Sequence, residues 1–97
     1  MKLNQEQIEN KFRDLEDWIL NKNTQVISKS YKFNDFKEAF MWMKNISEEA
    51  ERLDHHPEWK NVYNTVDIIL TTHDVSGLSN KDFLLANFMD KEFQKFL

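Results

Sequence analysis

All three histidines of this 97-residue chain fall in one stretch, His55 and His56 side by side and His73 further along. Imidazole is the side chain whose ordinary pKa lies near neutrality, so a cluster of imidazoles can deliver and accept protons without burying a fixed charge. General acid–base catalysis is the chemistry such a cluster suggests. Spacing alone allows a plainer reading equally well, in which His55 and His56 interact with the negative end of a helix dipole and His73 closes a strand at the surface. A metal site fits less well. Neighbouring side chains point about 100° apart on a helix and oppositely on a strand, so His55 and His56 cannot share an ion as an i, i+4 pair can, even with Glu51, Asp54 and Glu58 nearby. A serine nucleophile fits least, because Ser76-Gly77 lacks the flanking glycine of a nucleophile elbow.

The rest of the composition removes alternatives. There is no cysteine, which excludes thiol catalysis, iron–sulfur clusters and cysteine zinc sites and suits a reducing compartment. One Gly and one Pro are too few for the glycine-rich turns of dinucleotide and nucleoside-triphosphate folds. A net charge of −4 with mixed charge runs argues against a phosphate backbone as partner, so no nucleic acid is expected. The opening residues Met1 to Asn10 hold no apolar leader and no later run reaches membrane-spanning length, so the expected location is the cytoplasm and no membrane is expected as partner. At 40% hydrophobic and 31% charged, with 8 Phe, 3 Trp and 2 Tyr, the chain reads as one domain, residues 1–97, whose core is built from bulky side chains.

The elements that must position the histidines follow from periodicity. Ile8, Phe12, Leu15, Trp18 and Ile19 recur at helical steps and predict a first helix from Gln5 towards Leu20, although Trp18-Ile19-Leu20 could instead be the hairpin partner of the next strand. Ile27, Tyr31 and Phe33 share parity in a strand over Val26 to Phe33. Asp35 is placed to cap a second helix whose apolar arc runs Phe36, Ala39, Phe40, Met43, Ile46, Ala50 and Leu53, with Trp42 at its margin and Met41 outside it. Pro57 should stop that helix near Asp54 or His55, because the residue before a proline is pushed out of the helical region. Strands over Glu58 to Tyr63 and Thr65 to Thr72 follow, and if the second continues, His73 sits on the face away from Val66, Ile68 and Leu70. Gly77 permits a turn, and Ser79 with Asp82 forms a capping box before a third helix through Phe83, Leu84, Ala86, Asn87 and Phe88. This order predicts an α+β two-layer sandwich, a four-stranded antiparallel sheet with three helices packed on one face.

The segments Glu51-Arg52-Leu53-Asp54-His55-His56-Pro57-Glu58-Trp59, Tyr63-Asn64, Thr71-Thr72-His73-Asp74 and Gly77-Leu78-Ser79 resemble the pterin-4a-carbinolamine dehydratase family. The family's active-site pattern is met by Glu51, His55, His56, Pro57, Tyr63, His73 and Asp82. The likeness extends over Phe33 to Met43 and through Ala86, and is loose in the first thirty residues. It implies dehydration of a 4a-hydroxytetrahydropterin, the product left by aromatic amino acid hydroxylases, to the quinonoid dihydropterin, with no metal and no cofactor. It further implies that His55 and His73 are the acid–base pair and that His56 chiefly holds the pterin, with Glu51, Pro57, Trp59 and Asp74 also on the substrate side. Glu51, four residues before His55, could orient that imidazole or simply face solvent. Asp82 fits the family pattern and fits helix capping, and capping is the role expected of it. Trp59 could line the pocket or belong to the core. Members of the family form homodimers or homotetramers, and some serve as dimerisation cofactors of a transcription factor, so a non-catalytic protein-binding module is the alternative.

Overall fold

The alternating stretch after Gln25 becomes β2 (Val26–Lys32), one of the two central strands of the sheet. The structure is a computed structural model that describes residues 1–97. Around β2 stand α1 (Gln5–Phe12), β1 (Ile19–Asn21), α2 (Phe36–Leu53), β3 (Glu58–Val62), β4 (Thr65–Leu70), a 3-10 turn (His73–Val75) and α3 (Asn80–Phe93), with a second 3-10 turn (Gln94–Phe96) at the end. The strands lie in the order β1-β2-β4-β3, all antiparallel, and the helices cover one face, so the predicted α+β sandwich is the observed one. Ile27, Tyr31, Val66, Ile68 and Leu70 point into the core, while Ser30, Lys32, Ile69, Glu58, Lys60 and Val62 sit on the other face. That division is the period-2 pattern of a sheet with one face covered.

The first helix is shorter than its periodicity predicts. It has an Asn4–Gln7 capping box but ends at Phe12, and Asp17 adopts a left-handed backbone, so Ile19 turns into β1 opposite Ser28. Trp18 explains the override: its indole Nε1 donates to Asp90 of α3 at 3.0 Å, a tertiary bond that a continued helix could not make. The same carboxylate accepts from Lys29 Nζ at 2.7 Å and from the Tyr31 hydroxyl. Burial, followed by that bond to Asp90, pushes the Tyr31 pKa up, so the phenol stays a neutral donor in this strut between sheet and α3.

The apolar arc of α2 is also turned relative to expectation. Asp35 caps the helix through Glu38 N, as expected, but Phe36 and Phe40 stack on each other at 5.8 Å and remain exposed. Trp42, placed at the margin by periodicity, is fully buried against Tyr31, Phe33 and Trp59 and donates to the Met89 carbonyl at 3.2 Å. An indole buries more apolar area than a phenyl ring and here also satisfies its N–H, so the helix rotates to admit it. In α3, Phe83, Leu85, Ala86 and Met89 are buried, and Leu84 is exposed.

Candidate active site

The register of β3 on β4 brings the histidines to one end of the sheet. Glu58, the first residue of β3, pairs with Ile69 near the end of β4. In an antiparallel pair, the segment entering one strand and the segment leaving the other emerge together. His55–Pro57 therefore arrives where Thr71–Val75 departs, and α3 starts from the same end after Gly77.

Each segment is shaped locally. α2 stops at Leu53 because Pro57 disfavours further helix, and Asp54 closes it in the left-handed region at φ 53°, a conformation aspartate tolerates better than most residues. The His55 amide then donates to the Ala50 carbonyl at 2.9 Å, and the His55 side chain turns inward. After β4, the loop from Thr72 to Gly77 is closed by two backbone bonds, Thr72 N to Gly77 O at 2.8 Å and Gly77 N to Thr72 O at 3.3 Å. Glycine gives room there: a Cβ would lie 2.7 Å from Cε of Lys2 and 2.9 Å from Oε1 of Gln25, the far ends of two side chains that would have to move aside. The N-terminal segment holds that loop from outside through Leu3 N to Leu78 O at 2.8 Å.

Asp82 is the hub. It is 0% exposed, and its Oδ1 meets Nε2 of His55, itself 8% exposed, at 2.6 Å. Its Oδ2 accepts from Ser79 N at 2.9 Å and from the Thr72 hydroxyl at 2.7 Å. A buried carboxylate is tolerable only when its lone pairs are met, and this one has three partners. The capping box expected of Ser79 and Asp82 is present, and the same carboxylate also orients His55. The two roles weighed for Asp82 are one arrangement, because each oxygen serves a different partner.

His56 is exposed and pairs with Oε2 of Glu51. Glu51 therefore does not orient His55, as its i, i+4 spacing suggested; the left-handed turn at Asp54 breaks the helical geometry on which that spacing depends. His73 is exposed and begins the 3-10 turn, one residue after Thr72, so β4 ends before reaching it. Asp74 is exposed in the same turn and lines a depression with Lys2, Gln7, Lys11 and Lys81. Pro57 and Trp59 are half-buried, Trp59 packing on the core with its ring 6.5 Å from that of Trp42. Tyr63 stands exposed in the β3–β4 turn. Among the site residues, Thr72 alone had no role assigned from the sequence: a hydroxyl in a strand-like run carries no signal until its partner is known. No group of three histidine or carboxylate side chains converges in the way a metal ion would need. The depression beside Asp74 is also lined by Thr72 and Ser79, whereas another cleft, bounded by Asp14, Lys29, Tyr31 and Asp90, lies away from the histidines.

The sequence profile described as pterin 4 alpha carbinolamine dehydratase matches residues 1–92. The chain belongs to that family. The match includes the first thirty residues, where the likeness of motifs is loose. A pterin dehydratase relative from Sinorhizobium fredii, named "Putative pterin-4-alpha-carbinolamine dehydratase", is 47% identical over 93% of this chain and 86% of its own length. A protein of the same name from Chelativorans is 46% identical over 92% of this chain and 91% of its own. Among solved structures, a transcriptional coactivator/pterin dehydratase from Brucella melitensis superposes with a TM-score of 0.90 at 37% identity, covering 95% of this chain and 98% of that one. The pterin dehydratase fold is thus the fold built above from strand register and helix packing.

Proposed function

We propose that this protein removes water from a 4a-hydroxytetrahydropterin to give the quinonoid dihydropterin, with His55 and His73 as the acid–base pair and His56 as a group that holds the pterin. The observation that carries the reading is the buried His55–Asp82 pair, bonded to the hydroxyl of Thr72, the residue before His73. A histidine that merely ends a helix has no need of a buried carboxylate partner. In the reaction, one imidazole protonates the 4a-hydroxyl oxygen as the C–O bond breaks, and a base takes the N5 proton as the N5–C4a double bond forms. One water is lost and no electrons are exchanged, so two imidazoles suffice without redox cofactor or Lewis acid. Family membership supports the substrate class, and the absence of cysteine supports a reducing, cytoplasmic setting. The test is an assay of quinonoid dihydropterin formation by the purified protein; no acceleration over the uncatalysed rate would end this reading.

His56, exposed and paired with an exposed Glu51, is suited to binding that is similar in ground and transition states. His56→Ala is expected to raise KM while leaving kcat close to wild type. A large fall in kcat at unchanged KM would move His56 into the proton-transfer pair.

The protein is further proposed to assemble as a homodimer or homotetramer. Phe36, Phe40 and Met41 leave an apolar patch on α2 that is 50%, 57% and 51% exposed, and β1 and β3 leave open sheet edges. Light scattering at micromolar concentration is expected to give a multiple of 11.8 kDa. A monomeric mass would remove this claim and leave the catalytic one standing.

A further inference from the structure

We propose that Thr72 is a positioning residue of the acid–base site, holding His55 in the tautomer that carries its proton on Nε2 and leaves Nδ1 to react. The inference deepens the catalytic reading above and depends on it for its kinetic part.

The direction of every hydrogen bond around Asp82 can be worked out from what each group is able to donate. The Ser79 amide can only donate, and it does so to Oδ2 of Asp82 at 2.9 Å. Thr72 Oγ1 lies 2.7 Å from the same oxygen, and a carboxylate at neutral pH can only accept, so the threonine proton points there. Thr72 Oγ1 is also 2.7 Å from Ser79 Oγ. Since the threonine proton is already committed, the serine hydroxyl must donate in that contact. Ser79 Oγ in turn accepts from Lys81 N at 3.3 Å. The chain of donors therefore runs one way, from the first turn of α3 through Ser79 and Thr72 to Asp82, and leaves Oδ1 to accept from His55 at 2.6 Å.

Only Nε2–H can make that last bond, so the neutral imidazole presents an unprotonated Nδ1. Nδ1 has no hydrogen-bond partner within the chain, yet the one unpartnered buried side-chain polar atom is Oε1 of Gln25. Nδ1 therefore reaches solvent, where a substrate would lie. Thr72 matters to this because it is next to His73 in sequence and bonded to the carboxylate that orients His55, so one side chain ties the placement of both proposed proton carriers. Without its hydroxyl, Oδ2 keeps one donor instead of two, and the carboxylate gains freedom to rotate away from His55.

The test pairs kinetics with long-range proton–nitrogen NMR of the imidazoles, which separates the two neutral tautomers in the free protein. In the wild type, His55 is expected to show the Nε2–H pattern. Thr72→Val, which keeps the shape and removes the hydroxyl, is expected to lower kcat about 10–100-fold with little change in KM and to weaken that pattern. Thr72→Ser should restore most of both, which a purely packing role for the methyl group would not. An Nδ1–H tautomer for His55 in the wild type overturns the proposal even if Thr72→Val does not fold. So does a Thr72→Val protein with wild-type kcat and an unchanged tautomer. A wild type that fails to dehydrate the pterin, but whose Nε2–H pattern is lost in Thr72→Val, keeps the positioning role and removes the proposed reaction.

Discussion

Replacing both His55 and His73 by alanine is expected to leave a folded protein that hardly dehydrates the carbinolamine. Losing a general acid or base lowers kcat by about 10²–10⁴-fold, and the double variant lacks both proposed proton carriers. Each single variant should lose less overall. The substrate exists as two 4a stereoisomers whose leaving hydroxyls lie on opposite faces of the ring, and one histidine per face would let each single variant retain turnover of one isomer. The stability costs differ, because the two sites differ in burial. His73 is exposed, so its removal should change stability by less than about 0.5 kcal/mol. His55 is buried against Asp82, and its loss leaves Oδ1 without a partner at a cost of about 1–3 kcal/mol. Circular dichroism of the double variant, with His55→Gln as a replacement that keeps a donor, separates lost chemistry from lost fold. A folded double variant working at the wild-type rate would show that the acid–base assignment is wrong and favour the binding-module alternative.

Asp82→Asn is expected to be nearly as damaging to turnover while barely changing shape. The three donors now shared by the carboxylate leave its replacement amide in conflict. If the amide oxygen keeps the Ser79 amide and the Thr72 hydroxyl, its NH2 faces Nε2 of His55 and forces the proton onto Nδ1. The reacting nitrogen would then be in the wrong state. The analogous carboxylate-to-amide change in a serine-protease triad lowers kcat about 10⁴-fold, and weaker orienting contacts are worth about 10–100-fold, so a loss between these limits is expected. The measurement is kcat together with the His55 tautomer by NMR. Full activity for Asp82→Asn would mean that the carboxylate serves only as the cap of α3.

How far the site could be read in advance depended on the range of the interactions involved. His55, His56 and His73 stand out in the sequence because their chemistry is a property of the side chain and their clustering is visible in one dimension. The end of α2 was equally legible, since proline acts on the residue before it. The partner of His55 was not. Glu51 looked suitable at four residues away, but Asp82, twenty-seven residues on, won because α3 begins where β4 ends. Thr72 was silent for the same reason, its only distinction being what it touches. Trp42 and Phe40 exchanged places relative to expectation because the arc a helix buries is set by the sheet and α3 together, and the periodicity of α2 leaves two adjacent arcs nearly equivalent.

Taken by itself, the sequence determined what acts locally or through composition: the caps at Asp35 and Ser79, the stop at Pro57, the alternation of β2 and β4, the exclusion of thiol chemistry, and the histidine cluster. Tertiary structure decided which carboxylate holds which imidazole, that α1 stops at Phe12 so that Trp18 can reach Asp90, and that Thr72 bonds the carboxylate that meets His55. The physical reason is that hydrogen-bond partnership depends on distance in space. Positions far apart along the chain become neighbours only after the strands pair, and the burial that makes an unmet donor or acceptor costly exists only in the folded state.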